Sequence, residues 1–480
     1  MPAYSPGFRS RESECDRLDV PVEGEIPAWL SGTLVRNGPG RFEVGGERVA
    51  HWFDGLAMLR AFRFGDGEVT YSNRFLRTET FRTAVEEGEL SSQFATSGSY
   101  LRRLKSFLTD PTDNANVHVA RLGGEYVALT ETPRRVRFDP ADLSTRGDLR
   151  YRDDLTLHHV TAHLQYDRDR GETVGYGTEF GRRNRYHVYR VPDDRPERVP
   201  VASVEVDRPA YIHSFALTPT YAVLVEPPYV VNPLRFLLPG GGGFIDSYRW
   251  RPERGTRFRI FDRSSGELVA DRSTAAFFFF HTANGFETDD EVVVDLAAYD
   301  DATIVDNLFM SAMDGDAESG SAGGGEGSPE LDAADGTLAR FRVPLDAGGG
   351  GGDVERESLY RGMELPRVAP AARGSAYRYA YGQATRREGG NGLAKVNVET
   401  GEALEWWEAS VYAGEPIFVP RPDGDAEDRG VVLSLALDAD AERSFLLVLD
   451  AETFEERARA PLPHVVPFGF HGEFFPDVTD

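Results

Sequence analysis

Apolar and polar positions alternate over short runs along this chain, and long stretches with an apolar residue every three or four positions are scarce. Short runs rich in Val, Ile, Leu, Phe and Tyr, broken by Asp, Gly, Pro and Ser, predict an all-β fold. One unit recurs: an apolar strand, a tight turn, and a second apolar strand. Such turns begin near Arg63 (RFGDGEV), Phe138 (FDPADLSTRGDL), Val191 (VPDDRPERVPV), Phe261 (FDRSSGELV), Val343 (VPLDAGGGGGD), Asn397 (NVETGEAL) and Leu449 (LDAETFEERA), at successive separations of 75, 53, 70, 82, 54 and 52 residues. Repeated antiparallel units of this size predict a seven-bladed β-propeller. The repeats are degenerate, and a pair of β-sandwiches is the alternative arrangement of the same strands.

Two segments break the rhythm. Residues 83–113 read as an insertion that interrupts the first blade, and within them SYLRRLKSFL (99–108) reads as a short amphipathic helix. Its Leu101, Leu104, Phe107 and Leu108 share one side beside Arg102, Arg103 and Lys105. Such a helix suits either a membrane surface or packing on the propeller face. Residues 314–336 (DGDAESGSAGGGEGSPELDAADG) are acidic and rich in Gly and Ser, the composition of a mobile loop. A third stretch, PYVVNPLRFLLPGGGGFIDSYRW (228–250), places Leu234, Phe236, Leu237 and Leu238 before a glycine run. It reads as an exposed apolar edge or as a buried strand and turn.

A length of 480 residues, 40% of them hydrophobic, allows several ordinary domains or one large closed architecture, and the propeller reading selects a single domain over 1–480. No run of 18 apolar residues crosses a membrane, the N-terminus carries no secretory pattern, and a cytoplasmic location is expected. Cys15 is the one cysteine, which excludes an intrachain disulfide and a thiolate metal cluster. The net charge of −26 makes nucleic acid an unfavourable partner. The basic residues are arginine apart from Lys105 and Lys395. An acid excess spread along the whole chain, with almost no lysine, fits a high-salt cytoplasm where screening weakens self-repulsion. An acidic face for a basic partner is the alternative.

Four of the ten histidines share a context: His163 in VTAHLQYD, His213 in AYIHSFALT, His281 in FFFFHTANGFE and His471 in FGFHGEFF. A histidine buried among apolar residues needs a partner. These four also keep phase with the repeat, lying 25, 22, 20 and 22 residues after the turns at 138, 191, 261 and 449. In a propeller that slot faces the central axis, where four imidazoles can converge on a metal ion. Two further slots hold carboxylates: Glu364 lies 21 residues after Val343, and Glu415 lies 18 after Asn397. Carboxylates there, with Glu131 from a neighbouring strand, can accept the free ring N–H of a ligating histidine. His51, His118, His158, His159, His187 and His464 lack the phase and read as structural. Zinc would close such a site as a tetrahedron, whereas iron would leave coordination positions open.

At these residues the chain resembles the carotenoid cleavage oxygenase family. The matching stretches run over nearly its whole length: SGTLVRNGPGRFE (31–43), HWFDGLAML (51–59), DNANV (113–117), LTETP (129–133), TAH (161–163), YIHSF (211–215), HTANGFE (281–287), GEPIFVPRP (414–422) and GFHGEF (469–474). The resemblance implies a propeller capped by a helical dome, with Fe(II) held by His163, His213, His281 and His471 and with O2 as co-substrate. It implies that Glu131, Glu364 and Glu415 support His213, His281 and His471 in turn, leaving His163 without a carboxylate. It places Val117 where a methyl group partly blocks one coordination position. The family's first ligand motif usually reads His-Pro; here it is His163-Leu164.

The implied activity is oxidative splitting of a polyene double bond into two carbonyl products, inside a dry aromatic tunnel that 30 Phe and 19 Tyr can line. For a salt-adapted microbe with retinal proteins, central cleavage of β-carotene to retinal is the expected reaction. Apocarotenoid or stilbene cleavage is the alternative with the same chemistry, and non-oxidative isomerisation and hydrolysis of a retinoid ester is the alternative of another class. A substrate insoluble in water implies docking on a membrane surface through 99–108 and 234–238.

Overall fold

The structure is a computed structural model that describes residues 2–90, 93–96, 111–238, 242–314, 336–345, 352–387 and 389–479. Its strands form a seven-bladed β-propeller. Five blades are separate sheets of four or five strands, and the last two are joined in a ten-stranded sheet by a single parallel bridge between Asn391 and Tyr412. The ring closes through the C-terminus: Gly472–Phe475 pairs antiparallel with Gly32–Arg41, so the end of the chain supplies the axial strand of the first blade.

All seven turns read from the sequence join the third and fourth strands of a blade. In the first blade Asp66 and Gly67 connect Leu56–Gly65 to Glu68–Phe75, both with positive φ, as a two-residue hairpin of matching twist requires. The other six occupy the same place. After each fourth strand the chain crosses from the rim back to the axis and begins the next blade, which is why the residues in phase with the turns arrive at the centre.

Apolar layers between neighbouring blades hold the ring. Val223, Phe258 and Ile260 of the fourth blade meet Val292, Val294 and Phe341 of the fifth, all fully buried. Leu34 and Phe62 of the first blade meet Leu433 and Leu446 of the seventh. Burial of such side chains is worth about 1.5–3 kcal/mol each, and the alternation of buried positions along the strands aims them into these seams.

One face of the ring carries a dome of short elements. They include the helices Glu79–Arg82, Thr303–Asn307 and Met310–Met313, the turn Pro233–Leu237, and a hairpin of Tyr229–Val231 with Tyr248–Trp250. Phe8, Phe236, Ile304 and Met310 of the dome pack on Tyr211, Phe278 and Phe280 of the propeller. The carboxylate of Asp54 accepts the backbone N–H groups of Phe94 and Thr96 and the Thr96 hydroxyl, tying the dome to the turn Trp52–Asp54. The expected insertion at 83–113 follows the fourth strand of the first blade and connects it to the second, rather than interrupting the first. The segment 99–108 lies outside the described residues, as does all of 314–336 except Asp314 and Gly336. Leu234, Leu237 and Leu238 are exposed while Phe236 is buried, so the stretch is both edge and anchor. Among the described residues no helix is long and apolar enough to cross a membrane.

Candidate metal centre

Each blade contributes one residue in or near its innermost strand: Val117, His163, His213, His281, Glu364, Glu415 and His471. The four histidines are brought together, with ligand atoms all within 4.8 Å of one another, a group that can hold a metal ion. His163 Nε2 lies 2.9 Å from His213 Nε2, and His281 Nε2 lies 3.2 Å from His471 Nε2.

The other ring nitrogens explain this convergence. Nδ1–H of His213 donates to Glu131 Oε1 at 2.7 Å, that of His281 to Glu364 Oε2 at 2.6 Å, and that of His471 to Glu415 Oε1 at 2.8 Å. An ionised carboxylate only accepts, so each of these rings has its proton on Nδ1 and a lone pair on Nε2. His163 makes no Nδ1 hydrogen bond among the described residues.

The protonation states agree. Burial would raise all three glutamate carboxyls, but their partners outweigh it and hold them below the usual range. Those partners are His213 and His159 for Glu131, His281 and Tyr299 for Glu364, and Arg367 and Arg36 for Glu415. Burial and the crowd of neighbouring imidazoles push His163 and His471 well below the usual histidine value, and burial also lowers His213. Neutral imidazoles beside ionised carboxylates are the form that binds a divalent cation.

The donor set fits such a cation on a direct test. His281 and His471 have both committed their proton to a carboxylate, yet their Nε2 lone pairs face each other across 3.2 Å. Two lone pairs at that distance repel unless a positive charge lies between them.

A further tier holds the carboxylates, and sequence spacing gives no sign of it. The Tyr211 hydroxyl donates to Glu131 Oε2 at 2.7 Å and the Tyr299 hydroxyl to Glu364 Oε1 at 2.6 Å. Glu415 takes two guanidinium groups instead, Arg36 at 2.5 Å and Arg367 at 2.8 Å. Of the histidines read as structural, His118 stacks on His471 at 5.2 Å, and His159 lies 3.7 Å from Glu131. Val117 is buried, borders the same cavity, and accepts the His471 N–H on its carbonyl at 3.2 Å.

His213, His281 and His471 open on a cavity of about 1330 Å³ beneath the dome. Phe53, Phe94, Phe244, Phe280 and Phe470 give it an aromatic wall. Phe280 meets the His213 ring edge-on at 5.2 Å. An elongated apolar molecule can lie here against the metal centre with water excluded.

Comparison with known proteins agrees with this architecture. Residues 8–476 match the family model described as RPE65, retinal pigment epithelial membrane protein. The chain is 32% identical to a mitochondrial carotenoid-cleaving dioxygenase of Macaca fascicularis, over 99% of this chain and 95% of that one. It is 30% identical to the β,β-carotene 15,15'-dioxygenase of Gallus gallus, over 98% and 97%. Among solved structures it superposes on an ACO/RPE65 chimera with a TM-score of 0.85 and on a cobalt-substituted Synechocystis ACO with 0.83. Each is 28% identical and covers 98% of both chains. The chain belongs to the carotenoid cleavage oxygenase family.

Proposed function

We propose that the protein is a non-haem iron(II) dioxygenase that splits a carbon–carbon double bond of a carotenoid, with β-carotene cut at its central 15,15' bond to retinal as the first substrate. The observation that carries the reading is the pair of lone pairs on His281 and His471, each fixed by a carboxylate behind it. His163, His213, His281 and His471 would hold the iron. Four neutral donors leave its full positive charge and, for iron, open coordination positions. Bound Fe(II) supplies the activation of O2, and both oxygen atoms end in two aldehyde products without an external reductant.

The chain's own residues do the rest. Glu131, Glu364 and Glu415 keep the proton of three ligands on Nδ1 and orient the rings. Val117 narrows access to one side of the centre. The aromatic wall holds the polyene with one bond toward the histidines and keeps water from the reacting carbons. The β,β-carotene 15,15'-dioxygenase relative, matched end to end, supports the choice of bond. The exposed Leu234, Leu237 and Leu238 support docking on a membrane surface, from which such a substrate would be taken. The charge of −26 with two lysines supports work at high salt.

The test is incubation of iron-loaded protein in high salt with β-carotene, under air and under nitrogen, with products separated by chromatography. Retinal under air alone is the expected result. Other aldehydes under air would keep the mechanism and move the bond, and no turnover would take the test to apocarotenoids and stilbenes and then to a retinyl ester. An alcohol released from a retinyl ester without O2 would replace the reading with isomerohydrolysis.

A further inference from the structure

The three carboxylates behind the ligands are not held alike. Glu131 and Glu364 receive a neutral phenol each, from Tyr211 and Tyr299. Glu415 is 1% exposed and is gripped by two cations. Arg36 donates to Oε2, Arg367 donates to Oε1, and the Gly472 N–H adds to Oε2 at 3.0 Å. Both guanidinium groups are themselves tied down. Arg36 Nη2 reaches the Phe470 carbonyl at 2.9 Å, and Arg367 Nη2 the Gly472 carbonyl at 2.8 Å. These carbonyls flank His471. A third cation stands beside them: Arg60 is the cross-strand partner of Arg36 and is fully buried, with Nε and Nη1 making no hydrogen bond.

A carboxylate increases a histidine's donor strength by drawing its Nδ1 proton. Guanidinium groups on the same carboxylate withdraw that charge, and in a buried setting the withdrawal is little screened. The Glu415 oxygen that receives the His471 proton is the one that also receives Arg367 Nε.

We propose that Arg36 and Arg367 are positioning residues of the metal centre. Through Glu415 they make His471 a weaker donor than His213 and His281, and so raise the reduction potential of the bound metal. The cluster joins the first blade (Arg36), the sixth (Arg367), the seventh (Glu415) and the C-terminal strand, so the same contacts set both the place and the electronic character of this ligand.

The inference rests on the metal reading of the site, and the test separates the two. Wild-type protein, Arg36→Gln, Arg367→Gln, Arg36→Lys and Glu415→Gln are loaded with Fe(II). The ferric/ferrous potential is measured by spectroelectrochemical titration, and Fe(II) affinity by competition with a chelator. Arg36→Gln and Arg367→Gln should lower the potential, because the freed carboxylate donates more strongly. Glu415→Gln should raise it, and Arg36→Lys should stay near wild type. A purely structural cluster would shift all variants in one direction or none, and that result overturns the proposal. If Glu415→Gln does not fold, a potential in the two arginine variants at or above wild type overturns it alone. Failure of the wild-type protein to bind Fe(II) would instead remove the metal reading.

Discussion

Thr161 stitches His163 to His213, two of the four converging histidines. Its hydroxyl accepts the His163 backbone N–H at 2.8 Å and donates to the His213 carbonyl at 2.7 Å, and the side chain is fully buried. The next junction repeats the device. Ser214 Oγ donates to the Phe280 carbonyl at 2.7 Å and accepts the Thr282 N–H at 2.9 Å, on either side of His281. Hydroxyls thus fix the spacing of ligands that come from three blades. Thr161→Val keeps the shape but orphans a half-buried N–H and a buried carbonyl. It should destabilise the fold by about 1–3 kcal/mol and weaken Fe(II) binding, with Thr161→Ser restoring both. Thermal denaturation and chelator competition check this.

The carboxylates and their imidazoles predict two sizes of effect. Removing a ligand, as in His281→Ala, should abolish iron retention and activity together. Replacing Glu364 or Glu415 by glutamine removes the acceptor of a ligand's Nδ1–H and should weaken iron binding roughly 10- to 100-fold. Iron content after dialysis against a chelator separates the classes. A fully active His281→Ala protein would remove the ligand assignment, and unchanged affinity in a glutamine variant would leave that glutamate a structural role.

Much of this centre is visible in the sequence, for a physical reason. The third-to-fourth-strand hairpins need Asp, Gly or Asn in their turns, so they mark the repeat. A residue 18 to 25 positions after six of the seven turns then lands on the axis. The axial strands themselves leave no such mark. Ala216–Leu217 and His159–Val160 are two residues long, too short to show a period. Tyr211, Tyr299, Arg36 and Arg367 act across blades far apart in the chain, and periodicity carries no record of such pairs. His118 lacks the phase, so its sequence position reads as structural. Its ring nevertheless lies against His471, since it follows the axial position of its blade, Val117, by one residue.

Acid should unfold the protein from a higher pH than its carboxylates alone would set. His51 is fully buried in the dome, its Nδ1 accepting the Phe53 N–H and its Nε2 facing the Val305 carbonyl. Burial pushes its pKa down to about 3 from 6.5. The unfolded chain therefore takes up a proton there before the native one does. The stabilising contribution is complete above 6.5 and is lost as pH falls from 6.5 toward 3, at about 1.4 kcal/mol per pH unit. The glutamates with depressed values, Glu131, Glu364 and Glu415, act in the same direction but lower, below about 4.5. Denaturant melts of metal-free protein from pH 8 to 4 should show a stability slope beginning near 6.5. His51→Asn, which can keep the acceptor for Phe53, should lessen the slope by one proton's share, about 1.4 kcal/mol per pH unit. The share of other histidines that burial lowers remains, His118, His163, His213, His464 and His471 among them.

Salt should support rather than inhibit the enzyme. A charge of −26 repels itself in dilute buffer, and molar salt shortens the screening length to about 3 Å. Ion pairs between exposed partners, such as Arg183 with Glu205, are worth little in either condition. Screening therefore removes more repulsion than attraction. Stability and turnover should persist or rise toward molar NaCl, as melting temperature and product formation measured side by side would show. Inactivation by salt, with activity only in dilute buffer, would contradict a high-salt setting.

The apolar edge offers the clearest separation of surface from fold. Leu234, Leu237 and Leu238 are 68%, 38% and 56% exposed, while Phe236 between them is 6% exposed and packs under the dome against Phe244. Exposed leucines held on a turn whose anchor is buried can enter a lipid interface without rearranging the protein. Leu234→Glu with Leu238→Glu should therefore reduce flotation with neutral lipid vesicles and slow turnover of vesicle-embedded β-carotene. Melting temperature and turnover of detergent-dispersed substrate should stay close to wild type. Phe236→Ala should do the reverse, costing about 3–5 kcal/mol as a large buried aromatic. If the double variant still floats with vesicles as wild type does, the edge is not the docking surface.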